Sequence, residues 1–251
     1  INLLNTLQYI ESYDYRDCFS LKNVNMNEKL TEIRYQSFYR CIGLKNVHIT
    51  ASIVGNNAFD YCTNLKEVVF SNNVNDVGSW AFNDSKNIKT IVFEEGKGEV
   101  YLGYGGTSSE TKYGLFYGLD LDSVYIGRGI NYSAASKYHN PFYNAGIEQP
   151  ELGPYSTIIP PYWFAGASKQ EIVISEYVSH VAPYAFYESK IGRIVFPPAL
   201  IKIGEYAFAN STVQEIIQTE SNLQEIGKSA FSSCVNIKGL ILADGLTEVS
   251  P

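Results

Sequence analysis

Hydrophobic and polar positions recur along this chain with a period of about 22 residues. Each period contains an aromatic residue, here called the anchor, usually with a branched aliphatic residue five positions before it and a small residue or cysteine three positions after it. A period in this range predicts a solenoid, in which each coil buries its apolar face against its neighbours. The anchors are Tyr15, Phe38, Phe59, Phe82, Phe116, Phe142, Phe164, Phe186, Phe208 and Phe231.

The segments between anchors predict the local structure of each coil. Stretches such as Leu44–Ile49 and Leu65–Phe70 alternate and are rich in β-branched residues, which predicts short strands. Because these strands run in one direction and lie one coil apart, we expect a parallel ladder. We expect the anchor to fill the core between coils, and a preceding alanine to leave room for the next coil. The glycine four residues before several anchors is expected where the backbone turns tightly, at Gly55, Gly78, Gly204 and Gly227.

The repeated unit resembles the BspA-like branch of the leucine-rich repeats, whose pattern is roughly I-G-x-x-A-F-x-x-C-x-x-L-x-x-I-x-I-P. The likeness runs from about Leu7 to the C-terminus and is weakest around Phe116 and Phe142. It implies a curved, right-handed leucine-rich-repeat solenoid of about ten coils, with a parallel β-sheet on the concave face. It also implies a secreted or surface-anchored protein of a bacterium or protozoan that adheres to host matrix proteins or other microbes.

The distances between anchors indicate how the array is organised. They are 23, 21, 23, 34, 26, 22, 22, 22 and 23 residues, so the middle of the chain departs from the period. We expect one elongated domain over residues 1–251, with irregular insertions at about 94–112 and 131–160. The chain does not begin with Met, and Leu246–Val249 restates Leu30–Ile33, which opens a repeat, so we expect a fragment of a longer protein.

Composition excludes several classes of function. The net charge of −7, without a cluster of Lys and Arg, argues against a nucleic-acid partner. No apolar run is long enough for a membrane span. The four cysteines share the position three residues after an anchor, where a small buried hydrophobe is expected, and their spacing does not fit zinc. No histidine has a partner at a catalytic spacing, and only His139 is kept open. We therefore predict no enzyme activity, no catalytic residue, no cofactor and no metal.

Two features suggest partner binding, and tyrosine enrichment is the first. The stretch from Tyr101 to Tyr162 holds ten of the 20 tyrosines, next to an insertion rich in Gly, Ser and Thr. Tyrosine gives large amphipathic contact area at low entropic cost, and loops on a rigid scaffold often carry function. The alternative is that a longer coil needs additional aromatic filler. The candidate contact residues are Tyr101, Tyr104, Tyr113, Tyr132 and Tyr138.

The second feature is the outward-facing residue in the middle of each strand. Six of nine such residues are branched aliphatics, and an exposed apolar stripe often marks an interface. The alternative is plain β-propensity, since β-branched neighbours stack well along a ladder. We expect a polar rim at Glu67, Glu171, Arg193 and Glu215. The stripe contains Asn25, His48, Val69, Val92, Tyr125, Val173, Val195, Ile217 and Ile241.

These features predict a non-catalytic binding module, extracellular or on a cell surface. We expect adhesion to host or microbial proteins through the concave sheet face and the tyrosine-rich insertion, with a protein or a glycan as the ligand. One alternative is a structural spacer that displays another domain, although a spacer gains nothing from an interrupted period. The other alternative is a carbohydrate-binding surface protein.

Overall fold

The chain forms a β-solenoid of about nine turns, close to the ten expected, with parallel sheets and almost no helix. The computed structural model describes residues 1–107, 112–146, 150–218, 222–241 and 248–249. It divides into two compact units, Ile1–Glu151 and Leu152–Pro251. The single elongated domain stays a prediction.

Unit 1 contains two parallel sheets and one hairpin. The short strands before the anchors form the sheet β1-β2-β4-β6-β8-β12, and the strands after them are joined in the order β3-β5-β7-β11, while β9 and β10 pair antiparallel. A strand β13 (Glu151–Leu152) lies where the two units meet in sequence. The strands of unit 1 are β1 (Tyr9–Ile10), β2 (Glu32–Ile33), β3 (Asn46–Ile49), β4 (Ile53–Val54), β5 (Glu67–Phe70), β6 (Asp76–Val77), β7 (Thr90–Phe93), β8 (Glu99–Leu102), β9 (Tyr104–Thr107), β10 (Lys112–Gly114), β11 (Ser123–Ile126) and β12 (Gly129–Tyr132), followed by a 3-10 helix (Lys137–His139).

Unit 2 repeats the same plan with two parallel sheets, β14-β16-β18-β20-β22 and β15-β17-β19-β21. Its strands are β14 (Ile158–Ile159), β15 (Ser168–Val173), β16 (His180–Val181), β17 (Lys190–Val195), β18 (Lys202–Ile203), β19 (Glu215–Ile217), β20 (Glu225–Ile226), β21 (Gly239–Ile241) and β22 (Glu248–Val249). The predicted parallel ladder of short strands is thus confirmed in both units.

The anchors form a column of aromatic rings through each unit. Phe38 and Phe59 stack with ring centroids 5.0 Å apart and planes 8° from parallel. The column of unit 1 tilts between Phe82 and Phe116, whose planes differ by 35°, at the step that the insertion lengthens. The column of unit 2 contains Phe164, Phe186, Phe208 and Phe231, all stacked.

Each regular turn has left-handed backbone two residues before and two residues after its anchor. Around Phe38 these residues are Gln36 (φ 53°) and Arg40 (φ 57°). The N–H groups of Gln36, Phe38 and Arg40 donate to carbonyl oxygens of the next coil at 3.2, 2.8 and 2.9 Å. In the described part of the chain, every non-glycine residue with positive φ lies at one of these two positions. The turns are therefore hydrogen-bonded from coil to coil as strands are.

The glycine before the anchor serves close packing, which corrects our expectation of a tight turn. A Cβ atom at Gly55 would lie 2.9 Å from the carbonyl oxygen of Ile33 and from the carbonyl carbon of Arg34, in the preceding coil. No left-handed φ occurs at Gly55, Gly78, Gly204 or Gly227. Glycine is present because adjacent backbones approach more closely there than any side chain allows.

Candidate functional site

An outward-facing row of residues crosses the sheet β3-β5-β7-β11 of unit 1. His48, Val69, Val92 and Tyr125 are directly paired neighbours on these four strands. His48 is exposed and the other three are half-buried. The residues immediately before and after each of them in its strand are buried. Asn25, placed in the same stripe by sequence, is exposed and forms an isolated bridge with Asn2.

A matching row crosses the sheet β15-β17-β19-β21 of unit 2. Val173, Val195 and Ile217 are paired neighbours, and Ile241 continues the backbone register on β21. Val173 is 58% exposed, whereas Val195 and Ile217 are half-buried. In both rows the predicted alternation of inward and outward residues is present.

Polar groups border both rows. In unit 2, Glu171, Arg193 and Glu215 form the adjacent row, and Arg193 Nη1 lies 3.4 Å from the Glu171 carboxylate. In unit 1, the Tyr125 hydroxyl donates to Glu95 at 2.8 Å. His48 Nε2 lies 3.2 Å from Glu94 Oε1. Glu67 stands between Asn46 and Thr90 in the neighbouring row.

Of the first predicted insertion, Glu99–Leu102 form β8 of the regular parallel sheet, and residues from 104 onward form the β9–β10 hairpin. Residues 108–111 lie outside the described residues. Tyr101, on β8, is 41% exposed and pairs in register with Asp76 and Asn131. Tyr104, on β9, contacts the His139 ring edge to face at 5.4 Å and has the Lys112 ammonium 4.6 Å from its ring centroid. The hairpin thus brings the insertion against the 3-10 helix Lys137–His139.

Four tyrosines meet at this hairpin, and we call them the tyrosine corner: Tyr113, Tyr117, Tyr138 and Tyr143. The Tyr113 and Tyr117 rings stack at 4.0 Å, and Tyr143 lies parallel to Tyr117 at 6.1 Å. Tyr138 stands nearly perpendicular to Tyr113 and to Tyr143, at 6.0 and 5.2 Å. Two of the four, Tyr113 and Tyr138, were predicted contact residues, whereas Tyr117 and Tyr143 were seen only as part of the tyrosine-rich stretch.

Tyr132 was wrong as a contact residue. It ends β12, where Ile130 and Tyr132 point inward and Asn131 points outward, and its side chain is only 7% exposed. Burial raises the pKa of its hydroxyl well above the ordinary value. Tyr132 is therefore the aromatic filler that the alternative interpretation of the stretch expected.

His139 is held in a partly buried position between charged and aromatic neighbours. Its Nδ1 is buried, with no hydrogen-bond partner among the described residues. Burial lowers the pKa of His139. A hydrogen bond with the Ser133 backbone acts to raise the pKa, and the nearby positive charge of Lys112 acts to lower it. The lowered pKa favours the neutral imidazole, and no carboxylate is among the groups that shift it.

Cys41 and Cys62 are buried, as predicted, whereas Cys18 and Cys234 are only half-buried. All four thiols are free. Burial raises the pKa of Cys41 to about 12, which leaves no thiolate at neutral pH. Within the described ranges, no group of three or more His, Cys, Asp or Glu side chains is placed to hold a metal ion.

An aromatic and arginine surface at the start of unit 1 was missed by sequence reasoning. The Arg16 guanidinium lies 5.6 Å from the Tyr13 ring centroid and 4.6 Å from that of Tyr39. Tyr13 and Tyr35 meet edge to face at 5.5 Å, and both are more than 40% exposed. Because these residues lie on the irregular side of the coil, the strand periodicity did not indicate which of them share a face.

Comparison with protein families identifies the class of protein. The model of the BspA type leucine rich repeat region matches residues 1–101 and 135–251 in six copies. The chain therefore belongs to the BspA type leucine-rich repeat family, as the repeat predicted. The unmatched residues, 102–134, contain the β9–β10 hairpin. No curated protein matches the chain.

Solved structures of leucine-rich repeat proteins are similar to this chain, and one of them supports the same fold. A leucine-rich repeat protein from Bacteroides ovatus is 18% identical, with a TM-score of 0.53, over 98% of this chain and 58% of that one. The pneumococcal vaccine antigen PcpA is 17% identical over 98% of this chain and 56% of its own, with a TM-score of 0.38. A leucine rich cell surface protein from Faecalibacterium prausnitzii is 16% identical over 94% of this chain and 86% of that one, with a TM-score of 0.32. This chain thus spans little more than half of the first two proteins, and the agreement in fold rests on the first.

The described residues contain no helix that is long and apolar enough to cross a membrane.

Proposed function

We propose that the chain is a non-catalytic binding module, outside the cell or on its surface, that adheres to host or microbial proteins. The observation that carries the proposal is the register of the outward rows, in which Val69 pairs with Val92 and Val173 pairs with Val195. Membership in a leucine-rich repeat family and the polar borders of the rows also support it.

The size of the rows fits a protein partner that lies across several strands. Adjacent strands are about 4.8 Å apart, so a row over four strands spans about 15 Å. A standard interface buries about 800 Å² on each partner, which requires the row together with its rim. Branched aliphatic side chains at the centre and charged groups around them match the usual division into an apolar core and a polar rim.

The alternative of a structural spacer is weakened by the hairpin in unit 1. A spacer needs only the regular coils, yet this chain adds an antiparallel hairpin while the aromatic column continues from Phe82 to Phe116 at 5.8 Å. The array thus tolerates the interruption without losing its core, and the hairpin adds surface rather than length.

Binding to immobilised collagen, laminin and fibronectin would test the proposal, with a charge introduced into each row as the probe. We expect Val69→Glu and Val173→Glu to weaken binding by about tenfold or more, because each places a charge in the apolar centre of the contact. Val235→Glu is the matched control, since Val235 is 82% exposed and lies outside both rows. Equal loss with Val235→Glu, or no binding by the unmodified chain to proteins or whole bacterial cells, would favour the spacer.

A further inference from the structure

The aromatic and arginine surface at the start of unit 1 continues over three coils through direct contacts. The Arg16 guanidinium lies over the rings of Tyr13 and Tyr39, and the Tyr39 ring meets that of Tyr61 at 5.6 Å. Arg16 Nη1 also donates to Gln36 Oε1 at 2.6 Å. The centre of the surface is therefore held in place by its own contacts, which lowers the entropic cost of ordering it at an interface.

A second line of contacts carries the surface to Arg40 and Phe19. Asp17 lies 3.5 Å from the Arg16 guanidinium and 3.0 Å from that of Arg40. The Arg40 guanidinium in turn lies 5.3 Å from the centroid of the Phe19 ring. The side chains of Arg16, Asp17 and Arg40 stay between 38% and 47% exposed. Both signs of charge are thus accessible to a partner among the aromatic rings.

The exposed area of this surface fits a protein partner. Tyr13, Phe19, Tyr35 and Tyr61 are 49%, 47%, 42% and 41% exposed. An aromatic side chain covers roughly 150–250 Å², so these four rings offer on the order of 350 Å². That area is comparable with the largest apolar patch of a typical monomer, and the flanking arginines bring it toward the roughly 800 Å² that each partner buries in a standard interface. Tyrosine and arginine are also among the residues that most often dominate binding energy.

Three exposed side chains of the surface stand on backbone that disfavours them. Tyr13, Arg40 and Tyr61 have left-handed φ values of 69°, 57° and 57°. This conformation is costly for bulky residues and is adopted more easily by asparagine, as at Asn57, which has the position of Tyr13 two coils later. Because an exposed ring adds little to the core, the strain at Tyr13 points to a role in a contact with a partner.

We propose that the aromatic and arginine surface binds a second copy of this chain about a two-fold axis. Two chains of net charge −7 repel each other, so they associate best where the local charge is balanced, as Asp17 balances the arginines here. In a two-fold contact the same surface faces itself, so Arg16 of one copy can pair with Asp17 of the other. The Tyr13 and Tyr35 rings stand 88° apart, and a ring of the second copy can pack edge to face against either of them.

The dimer is independent of the protein contact proposed above, because it uses none of the residues of the aliphatic rows. It would present two sets of rows together, so that a matrix protein with repeated sites is held by two contacts at once. Loss of the dimer would leave binding by a single chain intact, and the two proposals can therefore fail separately.

Sedimentation equilibrium of the full chain, from about 1 to 200 µM, is the test. We expect a dimer with a Kd on the order of 10 µM, as for a weak interface of this size. Tyr13→Asn is expected to weaken the dimer about tenfold or more, because both copies lose the ring. Its thermal unfolding temperature is expected to stay the same or to rise, since asparagine tolerates the left-handed backbone. Arg16→Ala is expected to weaken the dimer similarly and is a second variant on the same surface.

Tyr155→Asn is the matched control, because Tyr155 is 44% exposed and lies in unit 2. Val69→Glu, in the aliphatic row of unit 1, is also expected to leave the dimer unchanged. The proposal is overturned if the chain is monomeric at about 200 µM, which would leave the surface to a different protein. It is also overturned if folded Tyr13→Asn and Arg16→Ala dimerise as the unmodified chain does, or if Tyr155→Asn or Val69→Glu weakens the dimer as much as they do.

Discussion

The thiol of Cys62 donates a hydrogen bond to the carbonyl oxygen of Phe38, in the preceding coil, across 3.2 Å. Ser85, at the same position of the next coil, donates to the carbonyl oxygen of Phe59 at 2.8 Å. Its hydroxyl also accepts from the Cys62 N–H at 2.9 Å. Cys62 and Ser85 thus play the same role, because both are small and both donate a hydrogen bond to the anchor of the coil before.

Cys62→Ser is therefore expected to change the free energy of unfolding by less than about 1 kcal/mol, because the hydroxyl keeps the hydrogen bond. Cys62→Val is expected to destabilise by about 1–3 kcal/mol, because it loses the donor and adds bulk at a fully buried site. Urea denaturation measures both. A serine variant as unstable as the valine variant would contradict the role given to the donor.

The anchor column gives a second prediction. Phe59 is fully buried between Phe38 and Phe82, so Phe59→Ala is expected to cost about 3–5 kcal/mol in urea denaturation. Phe19→Ala is the control, because Phe19 is 47% exposed and contacts the Arg40 guanidinium on the surface. Its cost is expected to be below about 1 kcal/mol. Similar losses for the two variants would show that the column is not the main source of stability.

The sequence predicted correctly those strands in which buried and exposed positions recur with the period of the repeat. Inward and outward positions on β5 and β7 were correct because a two-residue alternation fixes the face of each side chain. Tyr132 was misplaced because β12 follows the insertion, where the distance from the anchor no longer indicates which residues of a strand point inward.

The tyrosine corner could be predicted only in part, because its members come from different elements. Tyr113 lies on the hairpin and Tyr138 on the 3-10 helix, and no periodic pattern connects them. Arg128 was missed for a similar reason. Two of the carbonyl groups that its side chain contacts, those of Asn72 and Val74, lie more than 50 residues earlier in the chain, beyond the range of nearest-neighbour coils.

Glycines in two different roles give a third prediction. Gly166 has φ +72° and open space around its α-carbon, so Gly166→Ala is expected to cost about 1 kcal/mol, from the left-handed backbone alone. At Gly78 a Cβ atom would lie 2.8 Å from the backbone nitrogen of Asn56, in the preceding coil. Gly78→Ala is therefore expected to cost more, about 1–3 kcal/mol, because it pushes the two coils apart. Denaturation of both variants gives the order, and the reverse order would contradict this account of the two glycines.

The fourth prediction concerns Arg128, which is 2% exposed. Its guanidinium donates to the carbonyl oxygens of Asn72, Val74 and Glu99 at 2.7, 2.9 and 3.3 Å. Burial lowers the pKa of Arg128, and the fork of donors joins three separate points of the backbone. Arg128→Met is expected to destabilise unit 1 by about 2–4 kcal/mol, because buried carbonyl groups lose their donor.

Arg128→Lys tests whether the fork or the charge matters. An ammonium cannot reach all three carbonyl oxygens at once, so we expect this variant to lose nearly as much stability as the methionine variant. Full retention of stability by lysine would mean that a positive charge at this site is sufficient. Hydrogen exchange would locate the loss, which is expected in the coils around β6, β8 and β12.

The fifth prediction compares Asp60 and Asp84, whose pKa values are shifted in opposite directions in the folded chain. Burial raises the pKa of Asp60, although the amides of Asn57 and Asn83 donate to it. Because the folded state holds this proton more tightly than the unfolded chain, Asp60 reduces stability as the pH rises from about 3.8 through the higher folded pKa. Asp60→Asn stays neutral, so its stability relative to the unmodified chain is expected to increase over that range and to be constant above it.

Asp84 supplies the control with the opposite sign. Burial acts to raise the pKa of Asp84, but hydrogen bonds from Lys86 and Tyr61 outweigh it and lower the pKa. Asp84 therefore stabilises the folded state above the unfolded pKa, and this contribution is lost as the pH falls through the folded value. Relative to the unmodified chain, Asp84→Asn is expected to lose stability as the pH rises, where Asp60→Asn gains it. Urea denaturation from about pH 3 to pH 7 measures how the stability of each variant, relative to the unmodified chain, changes with pH. Changes of the same sign for the two variants would contradict opposite pKa shifts at Asp60 and Asp84.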